Sequence, residues 1–111
     1  MDTYKPLLDE FLYHLQHGKR YSTHTLKAYQ RDLARFLAHL TIPCTHVSVK
    51  EVQNFVSFLH RKQLTAKSIQ RNLSAIRSFY DHLLKRQLIS VNPARLVSAP
   101  KSARKLPQVL D

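Results

Sequence analysis

Four stretches of this chain return to leucine, isoleucine, valine or an aromatic residue every third or fourth position, with short polar joints between them. That spacing predicts amphipathic helices. The first runs from about Tyr4 to His17, with Leu7, Leu8, Phe11, Leu12 and Leu15 on one stripe; Pro6 is tolerated in its opening turn and Gly18 is expected to cap its end. The second opens at Ser22, a good N-cap, and reaches about Leu40, burying Leu26, Tyr29, Leu33, Phe36, Leu37 and Leu40 before Ile42 and Pro43 stop it. Ser48-Val49-Lys50-Glu51 has the pattern of a capping box and starts a third helix, with Val52, Phe55, Val56 and Leu59 inward. The fourth extends from near Thr65 to about Arg86 on Ile69, Leu73, Ile76, Tyr80, Leu83 and Leu84. Val91-Asn92-Pro93-Ala94 is expected to begin a short extra helix. The remainder, with two further prolines and no apolar stripe, reads as an extended basic linker. The expected fold is all-α: a single four- to five-helix bundle over residues 1–90, followed by an interdomain linker over 91–111. One glycine in 111 residues agrees. Hairpins and bulges need glycine, whereas long helices with short joints need little.

A chain of 111 residues is one domain, because two cores of half that size would each be marginal. Eighteen Lys and Arg against seven Asp and Glu give a formal charge of +11. Such an excess repels itself unless a polyanion is near, so nucleic acid is the first candidate partner and an anionic membrane the second. No apolar run approaches the roughly 20 residues needed to span a bilayer. The opening MDTYKPLLDEF has acids where a signal peptide has a basic start. Cys44 is the single cysteine, so no internal disulfide can form, and the cytoplasm is the expected compartment.

Position on the helices says more than net charge. The apolar stripe of the second helix leaves His24, Lys27, Arg31 and Arg35 on the opposite side, with the acid Asp32 off that stripe. In the fourth helix Lys67, Arg71, Ser74, Ser78 and Lys85 lie opposite the core face, flanked by Gln70 and Arg77, with Asp81 the one acid nearby. A lone basic stripe is ordinarily a solvated face. Two of them with few intervening acids have the make-up of a duplex-binding surface. Lys and Arg neutralise phosphates, Gln70 and the arginines can bond base edges, and small Ser74 and Ser78 allow close approach. Thr23 and His24 add donors in a first turn whose free N–H groups favour phosphate.

From the fourth helix onward the sequence resembles a known family. Thr65-Ala66-Lys67-Ser68-Ile69-Gln70-Arg71-Asn72-Leu73-Ser74-Ala75-Ile76-Arg77-Ser78-Phe79-Tyr80 is similar to the fourth helix of the Xer-type tyrosine recombinases of the phage integrase family. Asn92-Pro93-Ala94, Ala99-Pro100-Lys101 and Leu106-Pro107 resemble the strip joining its two domains, and Ser22-x-x-Thr25-Leu26-x-x-Tyr29-x-x-Asp32-Leu33 its second helix. The wording Val97-Ser98-Ala99-Pro100-Lys101 leans towards the XerC branch. The resemblance implies a SAM-like core-binding domain, one jaw of a clamp whose second and fourth helices cross the major groove of double-stranded DNA. It implies a cut-and-rejoin reaction through a phosphotyrosine, without metal, nucleotide or other cofactor, used in chromosome dimer resolution. Its implied partner is a second, XerD-like recombinase subunit in a tetrameric synapse. The catalytic arginines, lysine, histidines and tyrosine of the family belong to a C-terminal domain expected beyond Asp111. On this reading the chain has no catalytic residue of its own. Lys67, Gln70, Arg71, Ser74 and Arg77 would contact DNA from the fourth helix, with Thr23, His24, Lys27 and Arg31 doing so from the second. Arg104 and Lys105 would track the backbone from the linker. A phage or integron integrase arm, or a basic helical module for an acidic protein partner, remain alternatives.

Other constellations lead nowhere chemical. Tyr29 and Tyr80 sit on apolar stripes, and Tyr4, Tyr13 and Tyr21 lack the arginine–histidine surroundings of a nucleophile. His14 and His17 share a face, but no Cys or carboxylate pattern completes a metal set, so the seven histidines are expected at the surface and Cys44 is expected to be a plain thiol.

Overall fold

The computed structural model describes residues 4–98. Four helices follow one another, α1 (Lys5–His17), α2 (Thr23–His39), α3 (Val49–Arg61) and α4 (Ala66–Lys85), with a single 3-10 turn at Cys44–His46 between α2 and α3. No strand occurs among the described residues. The fold is the expected all-α bundle.

The helix starts are written in side chains. Ser22 Oγ accepts from the Thr25 N–H at 3.2 Å and Thr65 Oγ1 from the Ser68 N–H at 3.1 Å, each satisfying one amide that lacks a helical partner. At α3 the Glu51 carboxylate reaches back to accept the Ser48 backbone N–H at 2.7 Å and its hydroxyl as well. Those two bonds hold Glu51 below the usual carboxylate range.

The helix ends are less expected. Gly18 does cap α1, but at φ −86°, so it supplies no left-handed turn. What favours glycine there is space: a Cβ would sit 2.8 Å from the His14 carbonyl oxygen. The left-handed positions fall on Arg20, Gln63 and Gln87. After α3 and α4 they belong to a recurrent cap. The Leu64 N–H bonds the Leu59 carbonyl at 3.2 Å and the Leu88 N–H the Leu83 carbonyl at 3.0 Å, each closing over a glutamine where glycine is usual.

α4 is the central rod, touching α1, α2 and α3. It buries Ile69, Leu73, Ala75, Ile76, Phe79, Tyr80 and Leu83. Rings interlock around it: Phe11 meets Phe79 edge-on at 5.6 Å, and Phe36 meets Phe55 edge-on at 5.1 Å. Tyr80 is fully enclosed, and its hydroxyl donates to the Cys44 carbonyl at 2.8 Å, fixing the 3-10 turn to α4. Burial pushes both the Tyr80 phenol and the Cys44 thiol up.

The short extra helix expected from Val91 does not form. Asn92 Oδ1 takes the Ala94 N–H at 2.9 Å, a local side-chain turn that competes with helix propagation. Only two loose backbone bonds follow, Arg95 to Asn92 and Val97 to Ala94, both 3.3 Å. This segment nevertheless packs: Ala94 and Val97 belong to the core.

Candidate nucleic-acid interface

The outward faces of α2 and α4 carry the candidate contacts. On α2, Thr23, His24, Lys27 and Arg31 are all exposed, and Arg35, one turn further, is half-buried. Ser22 caps the same end, leaving the Thr23 and His24 N–H groups at the positive end of the helix. On α4, Lys67, Gln70, Arg71 and Ser74 are exposed, while Ser78 is half-buried.

The two faces meet at one acid. Asp32 is fully buried on the flank of α2 that faces α4. Arg71 of α4 donates to both its oxygens, Nε to Oδ2 at 2.8 Å and an Nη to Oδ1 at 3.2 Å. Arg31 approaches the same carboxylate at 3.7 Å. Both guanidiniums remain open to solvent, at 58 % and 42 % side-chain exposure for Arg31 and Arg71. The cationic stripes of the two helices are therefore neighbours on a single side of the molecule. The hydrogen-bonded carboxylate holds Arg71 charged even more firmly than usual. A bidentate fork of this kind also fixes the plane of the guanidinium.

Arg77 is placed differently. Its Nε donates to the Ala94 carbonyl at 3.1 Å and an Nη to the Val97 carbonyl, so it straps the segment after α4 onto the helix. Asn92 completes the strap, donating to the Arg77 carbonyl at 3.0 Å and to Asp81 at 2.9 Å. The structure thus gathers Lys67, Gln70, Arg71 and Ser74 on the N-terminal half of α4 and turns Arg77 onto backbone. Arg104 and Lys105 lie outside the described residues.

The described acids are each committed to an internal partner. Asp9 pairs with Lys5 at 2.8 Å, Glu10 with His82 at 2.8 Å and with Arg86, and Asp81 with Arg95 at 2.6 Å. Asp32 and Glu51 are held as described above. No described carboxylate is left free to repel a phosphate from the α2–α4 surface. Sequence spacing missed this, and it also missed His82, a histidine at 11 % side-chain exposure rather than at the surface.

Comparison with known proteins gives the family. Residues 8–87 match the family described as phage integrase, N-terminal SAM-like domain. The chain belongs to that family. Curated relatives carry the name tyrosine recombinase XerC. One from Xanthomonas axonopodis pv. citri (strain 306) is 45 % identical over 94 % of this chain and 39 % of its own length. One from Xylella fastidiosa (strain M23) is 43 % identical over 95 % of the chain and 37 % of its own length. One from Alcanivorax borkumensis is 38 % identical over 94 % of the chain and 34 % of its own length. The chain thus spans little more than a third of the curated relatives it matches. No solved structure matches it.

Within this integrase-family domain the tyrosines have structural surroundings. Tyr29 is half-buried, edge-on to Tyr21 at 5.7 Å, and partial burial raises its phenol. Tyr13, 64 % exposed, lies 4.2 Å from the His17 ring. Among the described residues no three His, Cys, Asp or Glu side chains cluster as a metal site, and no helix is long and apolar enough to cross a membrane.

Proposed function

We propose that this chain is the DNA-holding domain of a site-specific tyrosine recombinase that cuts and rejoins DNA, serving chromosome dimer resolution at cell division in the cytoplasm. Its partners on this reading are a double-stranded recombination site and a second, XerD-like subunit within a tetrameric synapse. The domain, expected to end at residue 90, takes in the packed segment through Val97, and the residues beyond it lead towards a catalytic domain that carries the chemistry. The observation that carries the reading is the convergence at Asp32: two cationic helix faces, distant in sequence, lie side by side with every nearby acid already paired. The chain's family and its similarity to tyrosine recombinases named XerC support the same conclusion.

The roles divide by geometry. Arg71, oriented by Asp32, and Gln70 beside it suit base edges in the major groove, where a fixed bidentate donor discriminates best. Thr23, His24 and Lys27, at the amino end of α2, suit phosphates, as do Lys67 at the start of α4 and Arg31.

A fluorescence-anisotropy titration with duplex and single-stranded oligonucleotides across a salt series tests this. Duplex should be preferred, and log affinity should fall linearly with log salt, by about 0.9 per phosphate contacted. Equal affinity for single strands, or binding indifferent to salt, would overturn the reading in favour of a protein-interaction module.

A further inference from the structure

The surface between the C-terminal half of α2 and the joint linking α3 to α4 holds a cleft that the sequence stripes do not single out. It is lined by Arg35, Phe58, Leu59, Lys62 and Leu64. The floor is apolar, the rim carries two cations, and the lining contains no acid. Neither Arg35 nor Lys62 has a carboxylate partner among the described residues. The nearest acid along α2, Asp32, is taken by Arg71.

We propose that this cleft is a separate anchorage for a DNA backbone phosphate, gripped by Arg35 and Lys62. The inference rests on the duplex-binding reading and deepens it by adding α3 and the α3–α4 joint to the contact surface. α2 borders the cleft through Arg35, and α4 begins two residues beyond Leu64. Arg35 lies one turn, about 6 Å, beyond Arg31 on α2. Leu64 immediately precedes Thr65, the N-cap of α4, so the positive end of that helix dipole stands beside the rim. A backbone running along α2 past Arg31 towards the helix C-terminus would reach Arg35 next.

The arrangement selects a phosphate over a base. Lys62 Nζ sits 5.6 Å from the centre of the Phe58 ring, covering the face on which a base would stack. The His39 ring lies against Phe58 at 4.5 Å, a further obstacle to stacking. What the cleft presents outward is the positive charge of Arg35 and Lys62 over an apolar floor, with no carboxylate in the lining to compete for it.

The test is a salt series with this chain and one duplex, comparing the unaltered protein with Lys62→Gln, Lys62→Arg and Lys50→Gln. Lys62 is exposed, so its replacement leaves the core intact. Lys50 is also exposed, at the opposite end of α3, and controls for the mere loss of one charge. Lys62→Gln should lower the slope of log affinity against log salt by about 0.9, equally on every duplex sequence. Lys62→Arg should keep the original slope, and so should Lys50→Gln. An unchanged slope for Lys62→Gln, or an equal loss for Lys50→Gln, overturns the anchorage while leaving duplex binding standing. Failure of the unaltered chain to bind duplex at all removes both.

Discussion

Arg71 has five N–H donors, and Asp32 engages two of them, which fixes the guanidinium plane and leaves three donors on a side chain 42 % exposed. That geometry separates two properties that usually change together. Asp32→Asn keeps the shape of the buried site but loosens the fork and removes a negative charge beneath the interface. Affinity for arbitrary duplex should hold or rise, whereas discrimination at one base pair should fall by about 1–3 kcal/mol. Selection from a random duplex pool with both proteins reads this directly, and an unaltered consensus from Asp32→Asn would refute the orienting role. Arg71 itself is a poorer probe, since its removal leaves the buried Asp32 carboxylate with only the 3.7 Å approach of Arg31, a stability cost in its own right. The candidate cations were legible in the sequence because outward positions follow from helical spacing. Their division of labour was not. Helical phase put Asp32 merely off the apolar stripe of α2, and Arg77 on the flank of α4. Only tertiary packing shows the first buried against α4 and the second turned onto the carbonyls of Ala94 and Val97.

The helices came through with boundaries within a residue or two, because Ser22, Ser48 with Glu51, and Thr65 are start signals with a local physical basis. Helix ends were harder to read. A search for glycine finds only Gly18, yet the left-handed caps after α3 and α4 are made by Gln63 and Gln87. A side chain there is strained, so Gln87→Gly should stabilise the fold by about 0.5–1 kcal/mol in a denaturant melt. A loss of stability would mean that the cap geometry is wrong. The tie between α1 and α4 has a pH signature. Hydrogen bonding from Arg86, and then from His82, holds Glu10 below its ordinary value of 4.5. A carboxylate favoured as the ion in the folded state contributes stability above that ordinary value and loses it as the pH falls through the folded one. The melting-temperature gap between the unaltered chain and Glu10→Gln should therefore be full near pH 6 and close under acid, below about pH 4. A gap that stays constant down to pH 3 would remove the ion pair from the account.

At the scale of the whole molecule, a formal charge of +11 becomes useful because of where the acids go. Asp9, Glu10 and Asp81 are paired on α1 and the far half of α4, Glu51 caps α3, and Asp32 is sealed between α2 and α4. The α2–α4 surface, where the two basic stripes adjoin, is thereby left without a free carboxylate among the described residues. Composition pointed to a polyanion as the first candidate partner, and periodicity to the bundle. That the two stripes share one side required the packing of α2 on α4. Backbone amide resonances of the chain, followed by NMR during titration with a duplex, test that claim most directly. The largest shifts should fall on residues 23–35 of α2 and 66–74 of α4 together, with Tyr13 on α1 and Lys50 on α3 undisturbed. Shifts confined to one of the two helices, or centred on α1, would contradict it.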